Sequence, residues 1–389
     1  MGKLFLMNSF FSSLSQGLYR LIILFLIFSY SLNDIELFAV YSSLITMLIV
    51  FQSIGSMGIL SSSIAILTKN KNSGNFYNLL KSFLLISIIL SIIFSVISYV
   101  YIEKMALINN PFYFSFLVAT LIHIVFFKGY LNFKEKYLQL SLISFLVSIF
   151  ILILIFLSNF NLFEIYSYSI IFESLFFLIF FLFNADIPEI LKSEILIEDI
   201  KEILKFMIPI SFAGFMIVPA NALIINLFNY FKEIEELSKF NLGLQLRNVL
   251  TFIPSVIAVI FLRQIFKIQE KNNLNIMLSF FSIVIIDIVV FSLKYNNFSY
   301  LKLIDYTEII YISLSSLLYV LFVDKINEYM RNSNTRNVVF IHLLWFLGFI
   351  IPFLTLFITK EYFFDLYISP FIIICIAYLC AIIFSRYLR

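Results

Sequence analysis

Apolar runs of about twenty residues, separated by short clusters of charge, recur along the whole chain. As a helix, each is long enough to cross a hydrocarbon core about 30 Å thick. The pattern is clearest from Phe206 to Phe266, where a short acidic hairpin joins two apolar segments. Pro209 opens the first, and Arg247 lies in the middle of the second. The pattern predicts about twelve spans, near residues 9–29, 38–66, 79–100, 112–129, 138–158, 164–184, 206–229, 240–262, 274–293, 304–323, 338–358 and 366–385.

The longest connection, 185–205, alternates Ile190, Leu191, Ile195, Ile200, Ile203 and Leu204 with charge behind Pro188, which predicts an interfacial helix. It divides the chain into a six-span bundle over 1–184, a cytoplasmic linker over 185–205 and a second six-span bundle over 206–389. The halves echo each other at an offset of 200: Glu36-Leu37 falls on Glu236-Leu237, and Lys71-Asn72 on Lys271-Asn272. The expected fold is therefore an all-α polytopic membrane protein, two six-helix bundles related by a pseudo-twofold axis around a central cavity.

Composition agrees with this class. Hydrophobic residues make up 62% of the chain, charged residues only 13%, and the mean hydropathy is +1.04, far from a soluble domain. The two cysteines, Cys375 and Cys380, both lie in the last span, so neither a disulfide framework nor a metal site is expected. A net charge of +3 implies no nucleic-acid partner. Lys3 precedes a long segment without a small-residue cleavage site, so the N-terminus is expected to remain as the first span.

With a cytoplasmic N-terminus, eighteen Lys and Arg residues fall on the cytoplasmic side, among them Lys69, Lys71, Lys134, Lys136 and Lys192, against six outside. The positive-inside rule thus puts both termini in the cytoplasm.

Chemistry must come from polar groups within the spans. Ser9, Ser12, Ser13, Gln16 and Arg20 share a face of the first span, and Ser42, Thr46, Gln52, Ser53 and Ser56 a face of the second. Ser211, Gly214, Asn221, Asn226 and Asn229 do so in the seventh. In the eighth, Asn241, Gln245, Asn248, Thr251 and Ser255 form a stripe with Arg247 at its margin. These spans hold equivalent places in the two halves, and their polar faces are expected to line one cavity that avoids lipid. Arg20 and Arg247 would bind an anion there, a guanidinium being suited to bidentate phosphate recognition. Glu173 and Asp287, the carboxylates nearest mid-span, are candidates either for pairing with an Arg or for ion coupling. His123 and His342 read as hydrogen-bonding packing residues rather than proton relays.

No phosphate-cradling glycine loop, catalytic triad or ligand cluster is present, so neither a cofactor nor an enzyme activity is expected. The paired halves, Pro209 in IPISFAGF, the acidic hairpins in NDIELFAVYSSL and KEIEELSKFNLGLQLRN, and Pro254 in TFIPSVIAVIF resemble the Wzx family of polysaccharide flippases. That family shares a superfamily with the MATE drug exporters and the lipid II flippase. The resemblance implies a bacterial inner-membrane protein that moves an undecaprenyl-diphosphate-linked oligosaccharide, an O-antigen or capsule repeat unit, by ion-coupled alternating access. It also implies membrane lipid, a polysaccharide polymerase and a chain-length regulator as partners. On that reading Arg20, Arg247, Gln16, Gln52, Asn221, Asn241, Gln245 and Asn248 would contact substrate.

Two alternatives share parts of this pattern. A MATE-like exporter of small cations would use the same fold but favour acidic over basic cavity residues. A membrane polymerase or glycosyltransferase needs a long external loop, and the longest here, around Lys294 to Lys302, is about ten residues.

Overall fold

The computed structural model describes residues 35–56, 58–71, 73–105, 110–157, 160–231, 233–267, 274–296, 303–331, 335–358 and 369–386, together with residues 22 and 301. Apart from residue 22, the first predicted span, including Gln16 and Arg20, lies outside the described residues.

Thirteen helices account for nearly all of what is described. They are α1 (Ile35–Gly55), α2 (Ile59–Lys69), α3 (Phe76–Met105), α4 (Pro111–Phe133), α5 (Tyr137–Leu157), α6 (Leu162–Asn184), α7 (Ile187–Lys192), α8 (Ile197–Phe231), α9 (Ile234–Lys267), α10 (Leu274–Tyr295), α11 (Tyr306–Arg331), α12 (Thr335–Ile358) and α13 (Pro370–Ser385). Among the described residues, seven of these are long and apolar enough to cross a membrane, and Pro370–Ser385 is a shorter apolar helix. The protein is an all-helical, multi-pass membrane protein.

The helix starts follow local chemistry. Asn110 caps α4 through its side chain, with Pro111 in the first turn, where a missing N–H costs nothing. Asn161 and Glu164 form a reciprocal capping box on α6. Ser369 caps α13 ahead of Pro370.

Two spans differ from the expected pattern. The apolar run 38–66 is not one helix but two, because Gly58 adopts φ 71° at the start of α2, a left-handed conformation that continues no α-helix. The linker helix also divides. The six residues of α7 end at Ser193, whereas Ile197 begins a 35-residue helix that runs without a break into the seventh span. An apolar pattern broken by charge marks amphipathic surface, but it does not say where a helix bends away from the membrane.

Packing divides the chain into two units. One contains Leu44–Val218, and the other contains Pro219–Arg389 with the described start of α1 up to Ser43. The division therefore passes through α1 and α8.

In the first unit α4 is the hub and packs on α2, α3, α5 and α6. Its residues Phe114, Leu117, Val118, Ile122 and Phe126 are fully buried. Gly129 lets α4 approach α2 so closely that a Cβ there would collide with Ser63 Oγ. In the second unit α11 has the same role, packing on α9, α10, α12 and α13. The hub is the fourth predicted span of each half.

Candidate functional site

The predicted polar stripe of the eighth span lies on α9, and the structure splits it. Asn241, Gln245 and Asn248 stay on one side. Asn241, 1% exposed, donates from Nδ2 to Ser43 Oγ at 3.4 Å, and its buried Oδ1 has no hydrogen-bond partner among the described residues. Gln245 Oε1 accepts from Asn248 Nδ2 at 3.3 Å, and Asn248 itself is exposed. Near the same end of α9, Ser238 Oγ donates to the Ile35 carbonyl at 3.3 Å. The stretches joined by these bonds, 35–43 and 238–241, are those the sequence repeat makes equivalent.

Arg247 turns away from the stripe, as its place at the margin of the polar arc requires. Its Nη2 donates to the Tyr378 hydroxyl at 2.6 Å. The guanidinium carbon lies 5.5 Å from the Tyr378 ring centre and 5.9 Å from that of Tyr319, within cation–π range of both. Tyr378 is fully buried, with Trp345 at 5.6 Å and Phe322 at 5.3 Å between ring centres. An aromatic wall from α11, α12 and α13 thus holds the cation. Its buried Nε–H has no hydrogen-bond partner among the described residues. Leaving a buried donor unmet costs about 1 to 3 kcal/mol, so that N–H is a ready donor to an incoming acceptor.

Neither candidate carboxylate pairs with Arg247 among the described residues. Asp287 on α10 accepts a 2.6 Å hydrogen bond from the Ser313 hydroxyl of α11, which also bonds the Ile309 carbonyl. Glu173 on α6 is half-buried. Both histidines are engaged in packing: His342 Nδ1 meets the Val338 carbonyl at 2.7 Å, and His123 Nδ1 meets Ser87 Oγ at 3.1 Å.

Several hydroxyls of the predicted polar faces serve their own helices. Ser42, Ser56, Ser211 and Thr251 each donate to a carbonyl one turn back, the usual use of a hydroxyl in an apolar helix. Gln52 on α1 and Asn221 on α8 are half-buried. Tyr319 and Tyr378 were not anticipated from the sequence. Tyr378 is 131 residues from Arg247, and no spacing rule links residues on separate helices.

A depression of about 500 Å³ lies beside Phe291, Ser292, Tyr295, Asn296 and Tyr306, where α10 ends and α11 begins. None of the predicted site residues lines it. No group of three or more metal-ligating side chains occurs among the described residues.

No protein-family profile matches the sequence, and no curated protein is similar to it. Solved structures do match over almost its full length. An inward-facing multidrug-resistance MATE family transporter of the MOP superfamily superposes with a TM-score of 0.64 at 13% identity, covering 97% of this chain and 94% of that one. The eukaryotic MATE transporter AtDTX14 gives 0.63 at 13% identity, covering 98% and 96%. A MOP superfamily transporter from Pyrococcus furiosus, whose binding pocket has reverse polarity suggesting a different function, gives 0.58 at 14% identity, covering 98% and 94%. At these identities the likeness establishes a MATE-like fold.

Proposed function

We propose that the chain is a secondary transporter working by alternating access, and that it exports a small molecule as MATE-like proteins do. The observation that carries this is the likeness to MATE transporters over 97% or more of the chain, with the second unit built around its own hub helix. Asp287 and Glu173, carboxylates inside predicted spans, are the candidates for coupling to an ion gradient. Expression in a host lacking its own exporters tests the reading. Raised resistance to amphipathic dyes or antibiotics, lost in Asp287→Asn, supports it; unchanged resistance across a broad panel together with no counterflow in proteoliposomes sinks it.

A second reading is a flippase for an undecaprenyl-diphosphate-linked oligosaccharide in a bacterial inner membrane, with both termini cytoplasmic and a polymerase and chain-length regulator as partners. Arg247 favours it. A guanidinium with an unmet N–H, on the helix that carries Asn241, Gln245 and Asn248, suits a diphosphate followed by sugar hydroxyls better than it suits a cation. Arg20, Gln16, Gln52 and Asn221 join this set in the proposal. The Pyrococcus furiosus structure gives a precedent for a changed pocket polarity on the same fold. Deleting the gene distinguishes the readings. A flippase leaves the surface-polysaccharide ladder absent and lipid-linked repeat units accumulating, whereas an exporter leaves the ladder intact.

A further inference from the structure

Three lysines from two separate loops meet at one end of the first unit. Lys134, in the turn between α4 and α5, is half-buried. Its Nζ lies 5.6 Å from the ring centre of Phe76, 5.7 Å from Tyr130 and 5.8 Å from Phe133. Phe76 opens α3, so the turn after α4 is pinned beside the loop that carries Lys71. Lys71 and Lys136 are both exposed. Between Lys134 and Lys136, Glu135 adopts φ 58°, a left-handed conformation rarely taken by a residue with a side chain. That conformation caps the C-terminus of α4, with the Lys136 N–H donating to the Leu131 carbonyl at 3.0 Å, and it sets how the two lysines diverge.

None of the three lysines has a carboxylate partner at ion-pair distance among the described residues. Burial, with the charges of Lys71 and Lys136, holds the Lys134 ammonium below the ordinary lysine value, and the charge of Asp186 opposes them. Three cations against the carboxylates of Glu135, between two of them, and Asp186 still leave a local excess of positive charge.

The surroundings decide which anion fits. Two residues past Lys136, an exposed apolar strip begins on α5 with Leu138 and continues through Leu142, Phe145, Ile149 and Ile153 to Phe156. These residues share one helical face and are the side such a helix turns to acyl chains. The lysines therefore stand where a phosphate headgroup would lie above its own tails. A soluble anion would gain nothing from the strip.

We propose that Lys71, Lys134 and Lys136 form a binding site for the phosphate headgroup of an anionic phospholipid, with its acyl chains along the exposed face of α5. The site is separate from Arg247 and does not depend on what the protein transports.

The test uses the full chain in detergent, following its thermal midpoint as phosphatidylglycerol is added, with phosphatidylcholine and inorganic phosphate as parallel additions. We expect phosphatidylglycerol alone to raise the midpoint. Each exposed lysine removed should weaken its apparent affinity about fivefold. The Lys71→Gln/Lys136→Gln variant should therefore need about 25-fold more lipid, with an unchanged midpoint in phosphatidylcholine, since neither side chain is packed. Lys134→Gln should weaken binding further. Equal stabilisation by phosphatidylcholine, full stabilisation by inorganic phosphate, or an unshifted phosphatidylglycerol curve in the double variant would each overturn the proposal.

Discussion

Arg247 and Tyr378 are 131 residues apart in the chain and meet through a 2.6 Å hydrogen bond, guanidinium to phenol. Among the described residues this cation inside an apolar bundle is held by a neutral hydroxyl and two ring faces and by no acid, which leaves its positive charge uncancelled by them. An uncancelled charge can act on a substrate, whereas one neutralised by a carboxylate is mainly structural.

Removing the hydroxyl alone isolates that bond. Tyr378→Phe keeps the ring and strands one guanidinium N–H, and hydrogen bonds to charged groups contribute about 1.5 to 3 kcal/mol. The thermal midpoint in detergent should fall, and Arg247→Lys should lower it as well, because an ammonium cannot lie flat between Tyr319 and Tyr378. Counterflow should fall more in Arg247→Ala than in Arg247→Lys if the charge contacts substrate; equal turnover in both would leave Arg247 a packing residue.

Asp287→Asn separates coupling from stability. The new carboxamide oxygen can still accept from Ser313, so the midpoint should shift by less than about 1 kcal/mol equivalent. Concentrative transport driven by an imposed ion gradient should nevertheless be lost, while exchange at equilibrium persists. A variant that still concentrates substrate rules out coupling through Asp287, and Glu173→Gln is then the next variant to assay.

The close helix contacts should differ in how they tolerate a methyl group. At Gly348 an added Cβ would sit 2.8 Å from Cys380 Cβ and 3.1 Å from the Ala377 Cα, so backbone must move. At Gly129 the main obstacle is the Ser63 hydroxyl. Gly348→Ala and Gly129→Ala should each destabilise by about 1 to 3 kcal/mol. Adding Ser63→Ala should recover stability in the Gly129 variant, and a double-mutant cycle on thermal midpoints would measure the coupling.

Lys239 gives a pH signature at the α8–α9 hairpin, before the predicted 240–262 span. It pairs with Glu235 at 3.0 Å and Glu236 at 2.8 Å. Burial disfavours its charge, but hydrogen bonds and charge from Glu236 and Glu235 outweigh this and raise its pKa above the ordinary lysine value. A raised folded-state pKa contributes stability that is complete below the unfolded value and lost as pH climbs through the folded one. Lys239→Met should therefore lower the midpoint by the same small amount from pH 6 to 9, about 0.3 to 1 kcal/mol, with the gap closing only in strong alkali. A gap that closes near neutral pH would contradict this assignment.

The helical, multi-pass architecture was legible because apolar length is a one-dimensional property: a run of about twenty apolar residues must span as a helix wherever it packs. The caps at Asn110, Asn161 and Ser369 are local as well, but they were not anticipated from the sequence. That Arg247 lies on the edge of its polar arc also followed from helical period alone. The break at Gly58 was hidden, because a glycine inside an apolar run reads the same whether the helix passes through it or turns there. The fusion of 197–205 with the seventh span was hidden as well, since charge marks amphipathic surface but not a helix end.

What the tertiary structure alone decided is which distant groups meet. Tyr378 and Tyr319 flank Arg247, Ser313 bonds Asp287, and Lys134 rests on Phe76 because separate helices pack side by side. Helical period fixes the direction of a side chain from its own axis, and only packing fixes what stands opposite. The sequence therefore determined that this chain spans a membrane many times and carries charge inside the spans. Its fold decided that Arg247 would be met by tyrosines, because the partners of a buried group are set by three-dimensional contact and leave no period in one dimension.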